Sequence, residues 1–196
     1  MALLPLAALV VIAAEGGGFA WGDRPPVIRA AAPAGRVEAA VTAVHAALDG
    51  GDLVVRFTFD RPVQRALYGA DGAPVSGRLR AVLYVDVDGD AKTGLAAGLK
   101  DPRTGADRRL EVGVIAVGAD PEENIGASAV VTAALSQLAA KRRRALWRGD
   151  AAATPRQVST SGSWVEVRLT RERGPFARAA RLVLADAEFL EGRLGP

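Results

Sequence analysis

The chain contains no cysteine, one histidine (His45) and one methionine, the initiator. Without cysteine there is no disulfide framework, no thiolate metal site, no cysteine nucleophile and no lipidated N-terminal cysteine. With a single histidine, a zinc site built from His and Cys lacks its ligands. A haem held by two His or Met side chains is excluded on the same grounds, so no haem is expected. A serine–histidine hydrolase has little to work with. The stretch 126–129 (GASA) starts like a nucleophile elbow but continues to Val130 where glycine is needed. His45 lies among alanine and valine in a strand-like segment and reads as an ordinary packed or surface histidine.

Lysine is also scarce, confined to Lys92, Lys100 and Lys141, and the remaining positive charge is arginine. The net charge is only +3, and the one basic cluster is the run 141–144 (KRRR). Nucleic-acid binding asks for such charge spread along a face with base-reading or stacking partners. The cluster is therefore read as a solvated loop or element end, and no nucleic-acid partner is expected.

Apolar content of 49% over 196 residues is enough for one domain with its own core. Residues 2–14 (ALLPLAALVVIAA) form an uncharged apolar run of signal-peptide length, too short to span a bilayer comfortably. No Lys or Arg precedes it. The expected organisation is a signal peptide at 1–14, a linker or irregular N-terminal segment at 15–35, and a β-sandwich domain at 36–196. The corresponding location is secreted or periplasmic, with no stable membrane span after processing.

From Arg36 onward the dominant signal is short alternating segments separated by turn residues. In residues 53–60 (LVVRFTFD), Leu53, Val55, Phe57 and Phe59 share one face. Asp49, Gly50, Gly51 and Asp52 join this segment to residues 41–48 as a hairpin. Further arms are expected at 79–87, 109–117, 164–170 and 181–187. Residues 129–140 fit a helix face through Val130, Val131, Ala134, Leu135 and Leu138, yet Val130, Val131 and Thr132 equally suit a strand. The expected fold class is all-β, an antiparallel β-sandwich of jelly-roll or immunoglobulin-like form, with at most one or two short helices.

The segment 83–94 (LYVDVDGDAKTG) concentrates carboxylates. As a helix–loop–helix calcium loop starting at Asp86 it fails, because Ala91 and Ala97 stand where glycine and a bidentate glutamate belong. The residues before it also alternate as a strand. Asp86 and Asp88 then project to the same side of a strand end, with Asp90 beyond Gly89. Asp101 and Asp107 lie on the returning segment. Such a group repels itself unless a hard cation, arginines or solvent offset it. A polar Asp/Gly turn with arginine neighbours is the alternative.

An apolar strand, Asp86-Val87-Asp88, Thr93-Gly94, a variable loop and Gly105-Ala106-Asp107 leading into Leu110-Glu111-Val112 resembles a recurring hairpin. It is similar to the central hairpin of β-sandwich modules related to family 9 carbohydrate-binding modules and the DOMON superfamily. The resemblance covers roughly residues 80–117, with support from the segments at 53–60 and 164–169. It implies an exported, non-catalytic binding module for a carbohydrate or cell-envelope polymer. It further implies structural calcium (Ca2+) at Asp86, Asp88 and Asp107, with Asp90 next. The chain departs from the family pattern at Arg108, a position that is often aromatic there.

Sugar binding draws on exposed rings, and the candidates are Trp147, Trp164 and Tyr84, each with core or edge packing as the alternative. Two other functions stay open: a structural or interaction domain with no small ligand, and a carboxylate-dependent hydrolase. The hydrolase would need a second acid across a cleft, and the sequence identifies none.

Overall fold

The structure, a computed structural model, describes residues 18–32, 35–68, 75, 77–98, 100–117, 128–140, 142–173, 176, 180–185 and 189–194. The apolar run at 2–14 lies outside the described residues. Two antiparallel sheets make a sandwich-like all-β domain. The first has the order β1 (Ile28–Arg29), β2 (Val41–Asp49), β3 (Asp52–Phe59), β9 (Trp164–Leu169), β8 (Val158–Ser161). The second runs β11 (Phe189–Arg193), β10 (Arg181–Ala185), β4 (Ala81–Asp86), β5 (Arg108–Val117), β6 (Ser128–Ala139), β7 (Arg142–Asp150). Among the described residues, one short helix, α1 (Val63–Leu67), follows Pro62, and one 3-10 turn spans Arg171–Arg173. Among the described residues no helix is long and apolar enough to cross a membrane.

The alternation predicts the core well. Val55, Phe57, Val165 and Val167 of the first sheet pack in one cluster with Leu83, Val85, Leu110, Val112, Leu182 and Leu184 of the second. Each of these is fully buried, and their combined apolar area is the main stabilising term of the fold. The ambiguous segment 129–140 is strand β6. It pairs with β5 over ten positions, from Arg108↔Gln137 to Val117↔Ser128, and buries Val131, Ala133 and Leu135. Its helical periodicity is a coincidence of spacing, and β-branched Val130, Val131 and Thr132 suit the pleat.

Three features were not anticipated. The arginine run continues as an edge strand, β7, whose residues from Arg142 to Ala145 are exposed. Charge on an edge strand discourages pairing with another chain, which agrees with this position. The second unanticipated feature is the pair of short strands β8 and β11, which carry too few inward apolar residues to alternate visibly.

The third is a cover over the outer face of β3. The described part of the N-terminal segment does not leave the domain. Beyond β1, Phe19 and Trp21 pack on Val54 and Ala47, so Val54 is fully buried on the face opposite the main core. Glu166 anchors the cover. It accepts hydrogen bonds from Trp21 Nε1 at 2.6 Å and from the Phe19 N–H at 3.2 Å, and pairs with Arg56 at 2.9 Å.

Candidate metal centre

The β4–β5 connection is built around one close approach. Gly94 has φ +68°, and a Cβ there would collide with the Ala106 carbonyl oxygen, so only glycine lets the two arms of the loop meet. Leu95 N–H donates to that carbonyl at 2.8 Å, and Gly105 N–H returns to Leu95 O at 3.0 Å. Asp107 N–H donates to Val85 O at 2.9 Å. This clamp fixes Asp107 beside the end of β4.

Asp86, Asp88 and Asp107 consequently offer one carboxylate oxygen each, all within 4.8 Å of one another. Asp86 is buried, Asp107 nearly so, and Asp88 is exposed. Each carboxylate is oriented by the backbone. Gly89 N–H donates to Asp86 Oδ1 at 2.7 Å, Asp90 N–H to Asp88 Oδ1 at 2.8 Å, and Val87 N–H to Asp107 Oδ2 at 2.9 Å. Thr93 Oγ1 lies 3.0 Å from Asp88 Oδ2, 2.9 Å from Asp90 O and 3.5 Å from Asp107 Oδ1. One hydroxyl proton serves only one of these oxygens, so the remainder face one another as acceptors.

The electrostatics record that crowding. Burial first, then the negative charges of Asp88 and Asp86, push the Asp107 carboxyl above the usual aspartate range, against the pull of the Val87 N–H. The Asp88 carboxyl is held below that range, chiefly by the Asp90 N–H and with help from Thr93. Positive charge reaches the group from Arg181, whose Nε lies 3.4 Å from Asp86 Oδ2, and more weakly from Arg108 beside Asp107. An all-oxygen set of three carboxylates with a hydroxyl and a carbonyl beside it suits a hard cation, not a soft metal. The arrangement can hold a metal ion.

Of the four aspartates expected at this site, Asp90 does not join the convergence. Its Oδ1 accepts from the Lys92 N–H at 2.9 Å, and its contribution to the site is the carbonyl facing Thr93. Asp101 on the same loop is taken by Arg103 at 2.6 Å. Thr93 as an oxygen donor and Arg181 as a counter-charge went unassigned in the sequence. Arg181 stands opposite Asp86 through the β10–β4 pairing, and nothing local signals that pairing.

The three candidate rings lie apart. Trp147 stands opposite Leu135 on the inward side of β7, half-buried against the core, with the Arg173 guanidinium 4.7 Å from its centroid. Trp164 lies on the outer face of the first sheet beneath Arg56, whose guanidinium is 4.2 Å from its centroid. Tyr84 lies on the outer face of the second sheet, two residues before Asp86, in a cleft of about 400 Å³. They do not form a common platform.

No family model matches the chain, and comparison with curated proteins and with solved structures returns no match.

Proposed function

We propose that the chain is an exported, non-catalytic β-sandwich module that binds a carbohydrate or cell-envelope polymer, with structural calcium held by Asp86, Asp88 and Asp107. The observation that carries this reading is the convergence of three carboxylates from two adjacent strand ends, with Asp107 buried among like charges. A bound divalent cation supplies charge compensation there and no chemistry. The residues do the rest: Asp86 and Asp88 hold the end of β4, Asp107 holds the start of β5, and Thr93 lines the gap between them. The site therefore staples the loop that flanks the Tyr84 cleft. The hairpin similarity to family 9 carbohydrate-binding modules and DOMON-like domains supports the same assignment, since calcium occupies the acidic loop in some of those relatives.

A binding role is favoured over carboxylate hydrolysis by the placement of the acids. Among the described residues the triad gathers at one loop, and no further acid joins it. Glu111, the single carboxylate lining either described cleft, is paired with Arg80 at 3.1 Å and with Arg109. The alternative of a structural domain without a small ligand draws on the self-satisfied turn, in which backbone N–H groups already bond Asp86, Asp88 and Asp90.

Two measurements on the purified protein separate the readings. Chelator should lower the melting temperature and calcium restore it. A glycan panel should give at least one specific binder. No thermal response to calcium or chelator removes the ion site, and a panel blank for every polymer removes the binding module.

A further inference from the structure

The outer face of the second sheet carries a second arrangement beside the acidic triad. Tyr84 stands opposite Arg109, Arg109 opposite Ser136 and Ser136 opposite Ala145, so one row of side chains crosses β4, β5, β6 and β7, and Leu138 opposite Arg143 stands in the next row of the same face. The β4–β5 loop adds a wall through Leu95 and Arg103. With Tyr84, Arg109, Leu138, Arg142 and Arg143 these two line the cleft of about 400 Å³. Its floor is apolar and aromatic, with Leu138 nearly buried and Tyr84 half-buried.

The lining also holds Arg103, Arg109, Arg142 and Arg143, of which Arg109 is largely buried. Two carboxylates offset part of this charge. Asp101 pairs with Arg103, while Glu111 pairs with Arg109 and reaches Arg143 only at 3.8 Å. Arg143 otherwise donates from Nε to Ser136 Oγ at 3.1 Å. Arg142 is exposed and makes no ion pair with a described residue. Among the described residues, four guanidinium groups line the cleft against Asp101 and a Glu111 that Arg80 also shares, so the cleft keeps a surplus of positive charge. Guanidinium forks match planar carboxylates by paired hydrogen bonds. A neutral sugar would leave that surplus unanswered. A duplex asks for a long basic face, whereas this cleft has the size of a small-ligand site.

We propose that this cleft binds the carboxylate-bearing sugars of an acidic polysaccharide, a polyuronate segment, with Arg142 and Arg143 taking carboxylates and Tyr84 with Leu138 and Leu95 supporting the apolar sugar face. The assignment rests on the glycan-binding reading above and names its ligand class.

The test is calorimetric titration of the full chain with short uronate oligomers, with their methyl-esterified counterparts, and with single-stranded DNA as a polyanion of another kind. Wild-type protein binds the acid oligomers, and esterification weakens binding by about tenfold or more. An Arg142→Gln/Arg143→Gln double variant loses binding to a similar degree, while Arg156→Gln, outside the cleft, keeps it. Should the double variant melt lower than wild type, Arg142→Gln alone serves, because that side chain has no described ion pair to lose. Equal binding of acid and ester, binding unchanged in the Arg142 and Arg143 variants, or DNA bound as tightly as uronate each overturns the proposal. Neutral glycans bound and uronates refused would overturn it while leaving the binding module intact. No glycan bound at all would remove both.

Discussion

Asp107→Asn separates an ion site from a polar turn because the two accounts predict opposite signs. Asparagine keeps a carbonyl oxygen to accept from the Val87 N–H, so the local hydrogen bond survives. What it removes is a charge that burial and the neighbouring Asp88 and Asp86 already disfavour. In chelator at neutral pH the variant should therefore melt no lower than wild type, and somewhat higher. In calcium the order reverses. A ligand at a hundredfold its Kd stabilises by about 2.7 kcal/mol. For a chain of 196 residues, each kcal/mol is worth about 2–4 °C, so wild type should gain roughly 5–11 °C. The variant, lacking one of three charged ligands, should gain much less at the same concentration. Thermal melts of both proteins across a calcium series, with magnesium in parallel, read this directly. A variant that is destabilised in chelator yet keeps the wild-type calcium response would refute the reasoning.

Acid titration gives a second test. Because the folded Asp107 carboxyl titrates above the ordinary aspartate range, the folded state binds the extra proton first. In metal-free protein this group's contribution to stability should rise as pH falls through its raised folded pKa, and flatten below the ordinary aspartate value. Asp60 and Asp101 act in the opposite sense, being held below that range first by Arg61 and Arg103 respectively. The contribution of Asp107 is thus read as the difference between wild type and Asp107→Asn, and a difference that is flat with pH would contradict it. On the other sheet, Glu166→Ala should cost about 2–4 kcal/mol, since it strips partners from Arg56 and the Trp21 indole. Tryptophan fluorescence should report Trp21 becoming more exposed below the melting transition, and unaltered emission with unaltered stability would show that the cover does not depend on Glu166.

The inward faces of β3, β4, β5 and β9 were legible because alternation is strongest where a strand buries one face. Edge strands bury less, which hid β7, β8 and β11. In β7 the arginines at 142–144 mask the strand, while Trp147 and Gly149 face inward opposite Leu135 and Ala133 and Leu146 packs on the core at a break in the register. The acidic site was readable as far as its local part. Asp86 and Asp88 share a side of one strand end, and Asp107 returns beside them through the hairpin. Asp90 breaks the pattern because its backbone, not its carboxylate, turns toward Thr93. Arg181 and the Trp21 cover are long-range. Arg181 reaches Asp86 only because β10 pairs with β4, and Trp21 reaches Glu166 across 145 positions.

The most direct measurement is a crystal structure of the chain grown with calcium, with the ion identified by its anomalous signal. The account predicts one cation with oxygens of Asp86, Asp88 and Asp107 at about 2.3–2.6 Å. An acidic loop that stays free of cation at a saturating calcium concentration, with the three carboxylates satisfied by backbone N–H groups, Arg181 and water alone, would contradict it.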